Sequence, residues 1–413
     1  RLWDCSQSGR QSDTLLSLAR NKDRHMRTQV AIIGAGPAGT LLSLLLRQQG
    51  IESVVLERQT KEYVLSRIRA GVLEWTSVEI MRAAGLSERL DVEGHRHESI
   101  KISWRAEELL SIDFERLAGK PMMAYGQTKI QEDLYAAADA HGQDIIFGAS
   151  DVEIHDPNSD APWVSFTANG EPVRLDCDFV AGCDGAHGVS RGSIPDSIKR
   201  EYERSYPFGW LGILSETPPL PHLLYANHER GFALCSERNP MLSRYYVQCP
   251  LDDRVEDWSD DRFWSELLAR VPKSEADNIV TGPSIEKSIA PLRSYVCEPM
   301  QYGRMFLAGD AAHIVPPTGA KGLNLSISDV HYLATAMAAH YSGDPGQLAS
   351  YSETALRRVW GSVRFSWWMT VLLHRFPDQS PFEQRANEED LHYLSRSEAA
   401  QTSVAEQYVG LDL

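Results

Sequence analysis

The sequence predicts an α/β fold in which a Rossmann-like nucleotide-binding domain carries an inserted β-rich domain and is followed by a helical C-terminal region. Three observations predict it. Residues 30–57 have the order strand, glycine-rich turn, helix and strand, which is the order of a dinucleotide-binding unit. A later apolar run, "RMFLAGD", has the form of a second buried strand with a polar end. Residues 232–248 have the composition of two further strands joined by a turn.

Composition places the chain among ordinary globular proteins. Its 413 residues are enough for two or three domains, and 42% of them are hydrophobic and 24% charged. The formal net charge of -16 argues against a nucleic-acid partner, whose phosphates would repel it. The apolar run Leu41–Leu46 is ended by Arg47, far short of the length that spans a bilayer. We therefore expect neither a nucleic-acid nor a membrane partner.

The cysteines and the N-terminal segment indicate the compartment. The six cysteines include no Cys-x-x-Cys pair, and no secretory leader pattern is evident, so free thiols in a reducing cytoplasm and no metal site are expected. Residues 1–25 are polar and aperiodic, and Met26 stands just before a clear strand. We predict that residues 1–25 are a leader outside the fold; an N-terminal helix is the alternative.

The first element along the chain is a phosphate-binding turn. Val30–Ile33 is a short β-branched strand, and Gly34, Gly36 and Gly39 follow it with G-x-G-x-x-G spacing. The glycines permit the tight turn, the approach of the backbone to a pyrophosphate, and the close packing of helix on strand. The helix that follows, predicted over about residues 37–49, directs its positive end at the phosphates.

Two carboxylates end the strands that follow. Glu57 closes the strand 53–57, where an acidic residue holds a ribose hydroxyl of a dinucleotide. This pattern does not separate FAD from NAD, and a glycine-rich turn of structural use only is the alternative. Asp310 ends the later strand and can bind the hydroxyls of a flavin's ribitol chain. A helix that begins within 317–324 can direct its amides at the flavin ring.

Three ordered motifs carry a family resemblance: "GAGPAG" at 34–39, "CDGAHGVSR" at 183–191 and "GDAAHIVPPTGAKGLN" at 309–324. Together they resemble the single-component FAD-dependent aromatic hydroxylases, and the similarity extends from Met26 to Leu413. The resemblance implies non-covalent FAD and a small aromatic acid as substrate. The implied reaction is hydroxylation of 4-hydroxybenzoate next to its phenol, giving 3,4-dihydroxybenzoate, with NADPH and O2 and through a flavin hydroperoxide. The rival interpretations are a flavoenzyme for another phenol or an oxidase, and a non-catalytic flavin-binding scaffold.

The resemblance assigns the carboxylate of the substrate to one group of side chains. Ser236, Arg238 and Tyr246 match the family's carboxylate-binding positions. Ser236 and Arg238 are two residues apart, so the alternation of a strand places them on one face. A guanidinium can pair with a benzoate through two parallel hydrogen bonds. A solvated surface hairpin is the alternative for this stretch.

The resemblance assigns the phenol to a proton relay. It implies that Tyr225 contacts the substrate oxygen, that Tyr408 continues the relay and that His97 passes the proton to solvent. A tyrosine pKa of about 10 suits a relay better than a free base, and a histidine pKa of about 6.5 suits the solvent end. Pro317 is implied beside the ring, where its carbonyl can orient the substrate oxygen. For each aromatic side chain taken alone, a role in packing or at the surface is the alternative.

The cofactor contacts that the resemblance implies fall into two sets, one for FAD and one for NADPH. Outside both sets, the resemblance implies Lys321 as a positive charge near the flavin. For Lys321, and for the arginines of "RIRAG", plain surface charges are the alternative. Arg58 is expected to supply a charge for the extra phosphate of NADPH. The FAD set is Gly34, Gly36, Gly39, Glu57, Arg67, Arg69, Gln127, Asp184, Arg244, Asp310, Gly322, Leu323 and Asn324, and the NADPH set is Arg58, Gln59, Tyr63, Arg69, His187 and Arg293.

The predicted domains follow from these assignments. Residues 346–413 are expected to form a helical region that supplies Tyr408. Its most apolar stretch, "RFSWWMTVLLHRF", is explained either by the core or by contact in a homodimer, which is the expected assembly. The remaining boundaries are 26–98, 177–205 and 290–345 for the FAD-binding domain, and 99–176 and 206–289 for the substrate-binding domain.

Overall fold

The computed structural model describes residues 25–67 and 71–412. The candidate contact Arg69, and the predicted leader apart from His25, lie outside the described residues. His25 opens the first strand, although the leader was expected to include it. The strands are β1 (His25–Arg27), β2 (Val30–Ile33), β3 (Ser53–Glu57), β4 (Val72–Leu73), β5 (His95–His97), β6 (Ser99–Trp104), β7 (Glu108–Asp113), β8 (Met122–Ala124), β9 (Asp144–Phe147), β10 (Ser150–His155), β11 (Trp163–Ala168), β12 (Glu171–Asp176), β13 (Phe179–Gly182), β14 (Arg200–Ser215), β15 (Leu223–Asn227), β16 (Ala233–Asn239), β17 (Leu242–Cys249), β18 (Ser284–Glu298), β19 (Gln301–Tyr302), β20 (Met305–Leu307) and β21 (His313–Ile314).

The helices are distributed along the chain and dominate its C-terminal part. Within the described ranges, none of them is long and apolar enough to cross a membrane. They are α1 (Pro37–Gln48), α2 (Lys61–Leu65), α3 (Trp75–Ala83), α4 (Ser87–Glu93), α5 (Phe114–Ala118), α6 (Gln127–His141), α7 (Asp260–Arg270), α8 (Lys273–Ala276), α9 (Gly322–Tyr341), α10 (Gly346–Ala349), α11 (Tyr351–Leu373), α12 (Pro381–Arg396) and α13 (Glu398–Val409).

A six-stranded sheet in the order β19-β20-β13-β2-β3-β9 forms the nucleotide-binding core. Its strands are parallel except β19, which pairs antiparallel at the edge. All residues of β2 are buried, as a central strand covered on both faces requires. The carboxyl ends of β2, β13 and β20 are neighbours, and each is followed by one of the three sequence motifs. Because ligands of such sheets bind at this edge, the order of the strands brings the motifs to one site.

The local predictions for this core are confirmed. Strands β2 and β3 have the predicted bounds, and α1 ends at Gln48, one residue before the expected end. The stretch 232–248 forms β16 and β17 as expected. The α/β fold with a Rossmann-like sheet, a β-rich region and a helical C-terminal region is therefore the observed architecture.

An eight-stranded sheet in the order β21-β18-β14-β17-β16-β15-β6-β7 forms the second layer. Helices α11, α12 and α13 cover one face and bury a core that includes Tyr225, Met369 and Tyr408. Helix α7 covers the other face with Phe263 and Trp264. The C-terminal helices therefore close one face of this sheet and bring the end of the chain onto it.

The predicted substrate segment 99–176 is distributed over several sheets. Strands β6 and β7 belong to the eight-stranded sheet, but β9 extends the parallel sheet beside β3. Strands β10, β11 and β12 form another sheet, whose edge is completed by β1. The pattern of alternating residues shows that these segments are strands, but it does not specify which distant strand each one pairs with.

A buried histidine joins the C-terminal helices to the eight-stranded sheet. The indole N–H of Trp210 donates to Nε2 of His374 over 2.7 Å, so Nδ1–H is left to donate to the carbonyl of Thr370 over 2.9 Å. The rings of Phe208 and Phe232 stack on the imidazole at 4.8 and 4.2 Å. Burial lowers the pKa of His374 to about 3. The neutral ring is therefore part of the folded structure.

Lowering the pH is expected to destabilise the fold through His374. Its pKa in the fold, about 3, lies below the ordinary 6.5, so the unfolded chain binds the proton first. This contribution to stability is complete above about pH 6.5 and is lost as the pH falls toward about 3, at about 1.4 kcal/mol per pH unit. We expect the free energy of unfolding, measured in urea, to fall by about 2 kcal/mol between pH 6.5 and 5. His374→Gln should be less stable at pH 7 but should lose less over the same interval; equal slopes would contradict the assignment.

Candidate active site

The glycine-rich turn after β2 leaves room for a phosphate. Gly34 has φ +102°, and a side chain there would lie 2.4 Å from the carbonyl oxygen of Cys183. A side chain at Gly39 would lie 1.9 Å from the carbonyl oxygen of Gly34, so this glycine allows α1 to pack on the turn. A side chain at Gly36, the N-cap of α1, would meet nothing within 4 Å. The open side of Gly36 thus faces away from the protein, next to the free N–H groups of the helix.

Glu57 is anchored beside this turn. One carboxylate oxygen accepts the backbone N–H of Ala35 over 2.9 Å, and the other accepts that of Gln59 over 2.8 Å. Each oxygen has a further lone pair, so the carboxylate can still accept a ligand hydroxyl. The ribose contact of Glu57 stays a prediction.

Asp184, which follows β13, presents an oxygen without a partner. Its Oδ2 accepts the N–H and the hydroxyl of Ser190, both over 2.9 Å. Its Oδ1 is buried and has no hydrogen-bond partner in the part of the chain that the structure describes. Burial raises the pKa of this carboxyl, in spite of the bonds from Ser190. Because buried polar atoms are normally paired, Oδ1 indicates a place for a ligand's donor.

The turn that carries Asp310 is fixed by a buried pair that sequence reasoning missed. Gly309 has φ +64°, and its N–H donates to Oδ2 of Asp329 over 2.8 Å. Nε2 of His313 bonds the same oxygen over 2.6 Å, and both side chains are fully enclosed. Burial opposes a charge on His313, but Asp329 outweighs it and raises the pKa of the imidazole. His313, three residues after Asp310, was visible in the sequence, but its partner Asp329 lies 16 residues further along, inside α9, and no sequence pattern connects the two.

The start of α9 offers a ligand its backbone N–H groups rather than the side chain of Asn324. Oδ1 of Asn324 accepts the N–H of Glu74 over 2.8 Å, and its Nδ2 donates to the carbonyls of Val72 and Ala320 over 2.9 and 2.7 Å. The amide of Asn324 is thus engaged within the protein. The N–H groups of the first turn, Gly322–Asn324, remain to face a ligand.

Lys321 is buried, so the alternative of a plain surface charge is wrong. Its ammonium donates to the carboxylate of Glu74 and to the carbonyls of Gln407 and Tyr408. The other oxygen of Glu74 accepts from Arg358 over 2.6 Å. Burial lowers the pKa of Lys321, against the pull of Glu74. This network ties the beginning of α9 to the end of α13, which carries Tyr408.

Strand register brings the substrate candidates to one face of the eight-stranded sheet. Tyr225 on β15 lies opposite Leu234 on β16, and Leu234 lies opposite Tyr246 on β17. Residues directly opposite each other project to the same side, so Tyr225 and Tyr246 share a face. The next strand has Gly212 opposite Tyr246, where a side chain would come within 2.6 Å of the Tyr246 ring. The glycine therefore leaves space for this ring.

The two relay tyrosines are in contact. The hydroxyls of Tyr225 and Tyr408 are hydrogen-bonded to each other, and both side chains are buried. Burial raises the pKa of each phenol. Phe114 stacks on Tyr408 at 5.2 Å between ring centroids. In residues 25–67 and 71–412, neither tyrosine makes a hydrogen bond to His97, so the structure joins the first two members of the relay directly but not the third.

The two candidate arginines differ in their partners. Arg244 is engaged with the hydroxyl of Tyr246, the carboxylate of Glu286 and the hydroxyl of Ser288, at 3.1, 2.9 and 3.3 Å. Nε of Arg238 is buried, yet it has no hydrogen-bond partner among the residues that the structure describes. Burial lowers the pKa of Arg238, against the pull of Tyr246 beside it. Within the described residues, Arg238 therefore has its Nε–H free for an anion, whereas Arg244 is held by its protein partners.

The pairing of β16 with β17 is irregular at Arg238, so this residue need not share a face with Ser236 as expected. The β16–β17 register shifts between Glu237 and Asn239, so Arg238 falls in an irregularity and simple alternation does not set its direction. Its guanidinium reaches Tyr246, on the face that also carries Tyr225. Ser236 is buried nearby, and its hydroxyl donates to the carbonyl of Arg244 over 2.6 Å. Pro317 is exposed, and its carbonyl accepts the N–H of Ala320 over 3.0 Å.

The nucleotide candidates lie on exposed segments. Arg58 and Tyr63 are exposed just after β3, and Arg67 lies 5.7 Å from the Tyr63 ring. Gln59 bonds Glu57 through its backbone, and Gln127 is the first residue of α6.

Arg191 contacts both the segment that carries His187 and the ring of Tyr295, which Arg293 also approaches. Arg191 donates to the carbonyl of Ala186 over 2.7 Å, next to His187, and lies 4.4 Å from the Tyr295 ring. Arg293 lies 5.9 Å from the same ring. The structure therefore places the candidates in two groups, one after β3 and one between β13 and β18.

Comparison with known proteins bears on this geometry. The family model described as "FAD binding domain" matches residues 27–366. The chain is 51% identical over 389 residues to p-hydroxybenzoate hydroxylase of Acinetobacter baylyi, covering 94% of this chain and 96% of the relative. It is 26% identical to 3-(3-hydroxy-phenyl)propionate/3-hydroxycinnamic acid hydroxylase of Mycobacterium avium, over 77% of this chain and 56% of that protein.

Solved structures share the fold. The crystal structure of p-nitrophenol 4-monooxygenase PnpA from Pseudomonas putida is similar with a TM-score of 0.78 and 18% identity, covering 94% of this chain and all of that one. Aklavinone-11 hydroxylase, solved with FAD and aklavinone, is similar with a TM-score of 0.71 and 20% identity, over 86% of this chain and 70% of that one. At this identity the likeness shows the architecture and not the substrate.

Proposed function

Since this chain belongs to the FAD binding domain family and is an FAD-dependent aromatic hydroxylase, we propose that it hydroxylates 4-hydroxybenzoate at the ring carbon next to the phenol. One O2 and one NADPH are consumed with a proton, and 3,4-dihydroxybenzoate, water and NADP+ are formed. The name of the 51% identical relative supports this substrate. Another phenol hydroxylase or an oxidase is the second possibility that the fold alone allows.

One observation carries the choice of substrate. Arg238 is half-buried, but its Nε is buried and lacks a partner among the described residues; it lies beside Tyr246 on the sheet face that holds the hydrogen-bonded pair Tyr225 and Tyr408. An unpaired buried cation requires an anion, and a buried hydroxyl pair suits a phenol. A benzene ring with a carboxylate and a hydroxyl at opposite ends supplies both.

The chain's own residues fit FAD at the edge of the parallel sheet. Gly36 leaves space for the pyrophosphate, and Asp184 presents a buried oxygen that requires a donor. Glu57 ends β3, where it would bind the ribose. The later strand, β20, ends at Leu307 and not, as expected, at Asp310, which lies in the short 3-10 turn that follows and would bind the ribitol there. Bound there, FAD supplies electron transfer from NADPH and activation of O2, which protein side chains do not provide.

The tyrosines handle the proton of the substrate. A phenolate is more nucleophilic at its ortho carbon than a phenol, so the phenol proton must leave before the ring is attacked. Tyr225 accepts the proton through its hydroxyl while it passes its own to Tyr408. Neither tyrosine bonds His97 in the described residues, so a bridging water would have to carry the proton from Tyr408 to His97, the proposed exit. Because both tyrosines are buried, this path removes a proton without admitting water to the ring.

The test of the reaction is an assay of NADPH oxidation with and without 4-hydroxybenzoate. We expect the substrate to accelerate NADPH oxidation and 3,4-dihydroxybenzoate to form in equal amount. Hydrogen peroxide in place of the catechol, with unmodified protein and saturating substrate, would identify an oxidase or a hydroxylase for another phenol.

Asp310→Ala is expected to weaken FAD binding. The variant removes charge-assisted hydrogen bonds to ribitol hydroxyls, worth about 1.5–3 kcal/mol, and the dissociation constant should rise about tenfold for every 1.4 kcal/mol. Quenching of flavin fluorescence during titration of the FAD-free protein measures it. Asp252→Ala, at an exposed loop position, is the matched control and should bind FAD normally. An unchanged dissociation constant in Asp310→Ala would place the ribitol elsewhere.

Arg58→Glu is expected to change the nucleotide preference. We propose that the unmodified enzyme prefers NADPH, because Arg58 is an exposed charge just beyond Glu57. A carboxylate there repels the 2′-phosphate and can accept from the 2′-hydroxyl of NADH. The kcat/KM for NADPH divided by that for NADH should fall by at least about tenfold, which is the effect of losing about 1.4 kcal/mol. An unaltered ratio would remove Arg58 from the nucleotide site.

We also propose a homodimer in the cytoplasm. Helices α11 and α12 expose the aromatic side chains of Trp367, Phe382 and Tyr393 at 42%, 81% and 60%. Such residues are typical of protein interfaces. The described cysteines are buried free thiols, which suits a reducing compartment. Sedimentation equilibrium of the unmodified protein tests the dimer.

A further inference from the structure

The apolar stretch "RFSWWMTVLLHRF" carries a row of buried polar side chains. Ser366 and Thr370 lie four residues apart on α11, and His374 follows at the same spacing as its C-cap, so the three side chains share one face of the helix. All three are fully buried. Because a buried polar group without a partner costs free energy, the partners of this polar row indicate what it holds in place.

One end of the polar row holds an aromatic side chain beside the substrate candidates. Trp210 lies two residues before Gly212 on β14, on the face that also carries Tyr246, and its ring is 5.2 Å from the Tyr246 ring. Its indole N–H donates to Nε2 of His374 over 2.7 Å, with the two ring planes within 11° of parallel. The bond from Nδ1 of His374 to the carbonyl of Thr370 fixes the tautomer in which Nε2 is an acceptor.

The other end of the polar row holds the turn that carries Pro317. The hydroxyl of Thr370 donates to the carbonyl of Ser366 over 2.7 Å, which uses its one proton. It therefore accepts from the hydroxyl of Thr318, 2.9 Å away. A side chain at Gly319 would lie 2.7 Å from Oγ of Ser366, so the turn also packs closely on the helix. One helix face thus contacts both the turn and the aromatic side of the sheet.

We propose that Thr370 and His374 are positioning residues for the hydroxylation, which together fix the separation between Trp210 and the turn Pro317–Gly319. This inference rests on the proposed function, in which the substrate ring lies between these two walls with its carboxylate beside Tyr246. Both residues act through the walls and touch neither the substrate nor FAD. Walls that keep their spacing in the empty site spare the substrate the cost of ordering them.

The first test is the dissociation constant of 4-hydroxybenzoate, measured by flavin absorbance with the FAD-loaded enzyme. His374→Leu leaves the indole N–H of Trp210 without an acceptor, so the ring turns its N–H toward water in the empty site. Substrate must displace that water, and we expect the dissociation constant to rise about tenfold, equivalent to about 1.4 kcal/mol. His374→Gln keeps an acceptor and should restore most of the affinity. In a Trp210→Phe background, which lacks the donor, His374→Leu should cause no further loss.

The second test is the amount of 3,4-dihydroxybenzoate formed per NADPH at saturating substrate. Thr370→Val keeps the shape of the side chain but cannot accept from Thr318, so the turn with Pro317 loses its anchor on the helix. We expect the yield to fall by about half or more, with hydrogen peroxide making up the difference, because small misplacements slow the attack on the ring. The dissociation constant of FAD should stay unchanged. Thr370→Ser keeps the hydroxyl and should restore the yield.

The control is Asn387→Ala, which removes a different hydrogen bond to α11, from Nδ2 to the carbonyl of Val371 over 3.0 Å. It should leave both readouts unchanged, whatever its effect on Tm. An unchanged dissociation constant in His374→Leu, or an unchanged yield in Thr370→Val, would overturn the inference. An equal loss of affinity in the Trp210→Phe background would also overturn it, by showing a general loosening of the fold. Absence of 3,4-dihydroxybenzoate with the unmodified enzyme would instead overturn the proposed function.

Discussion

Tyr225→Phe is expected to consume NADPH in the presence of 4-hydroxybenzoate and yet form little 3,4-dihydroxybenzoate. The substitution keeps the ring and its packing and removes the hydroxyl that bonds Tyr408. Transfer of a hydride from NADPH does not need the phenolate, but attack on the substrate ring does. Loss of an acid–base group slows the step that uses it by about a hundredfold or more. The electrons should then leave mainly as hydrogen peroxide.

The measurement is product and peroxide per NADPH at saturating substrate. Tyr408→Phe should uncouple in the same direction, because it removes the partner to which Tyr225 passes its proton. Tyr206→Phe is the matched control: its hydroxyl is also buried and bonds Ser294 over 3.0 Å, and its loss should leave the product yield unchanged. If Tyr225→Phe gave one catechol per NADPH, the proton path through Tyr225, Tyr408 and His97 would have to be abandoned.

The parts of the site that sequence could predict are local. The turn Gly34–Gly39 and the carboxylate Glu57 are specified by spacing within one strand–turn–helix–strand unit, and the structure has them at the expected positions. The adjacency of the three motifs follows from the order of parallel strands, which the same unit constrains. These features depend on contacts between residues that are near in sequence or on general rules of topology.

The parts that could not be predicted depend on distant contacts. Asn324 bonds Glu74 across 250 positions, and Lys321 reaches the carbonyls before the C-terminus. The sequence alone predicts that Asn324 contacts the flavin. It leaves two alternatives for Lys321, a charge near the flavin or a charge at the surface. Only the packing of α9 against α3 and α13 shows that both are engaged within the protein. The same holds for His313 and Asp329, which are brought together by the fold.

The two arginines of the substrate hairpin show the same limit. Sequence places Arg238 and Arg244 in adjacent strands with similar surroundings. In the structure, Arg244 has three side-chain partners, including Glu286, whereas Nε of Arg238 has none in the described chain. Removing either charge should therefore have different effects. Loss of Arg244 leaves the carboxylate of Glu286 without its ion-pair partner, whereas loss of Arg238 removes a contact to Tyr246 but breaks no ion pair within the described residues.

Arg238→Ala is expected to raise the dissociation constant of 4-hydroxybenzoate by about thirtyfold or more. Truncating one member of a buried charge pair costs about 2–5 kcal/mol, and 1.4 kcal/mol is about tenfold in affinity. The free enzyme should not lose stability, because the buried Nε of Arg238 has no partner among the described residues before the substrate binds. This combination, weaker binding with an unchanged or higher Tm, separates a ligand anchor from a structural arginine.

The test pairs two ligands in equilibrium titrations monitored by flavin absorbance. 4-Hydroxybenzamide has the ring and the phenol of the substrate but no charge. Arg238→Ala should weaken 4-hydroxybenzoate strongly and the amide little, since only the carboxylate needs the guanidinium. Arg238→Lys keeps the charge without the two parallel donors and should fall between the unmodified enzyme and the alanine variant. An equal loss for acid and amide would show that Arg238 shapes the pocket by packing, and the carboxylate would then have to be bound by Ser236 and Tyr246 alone.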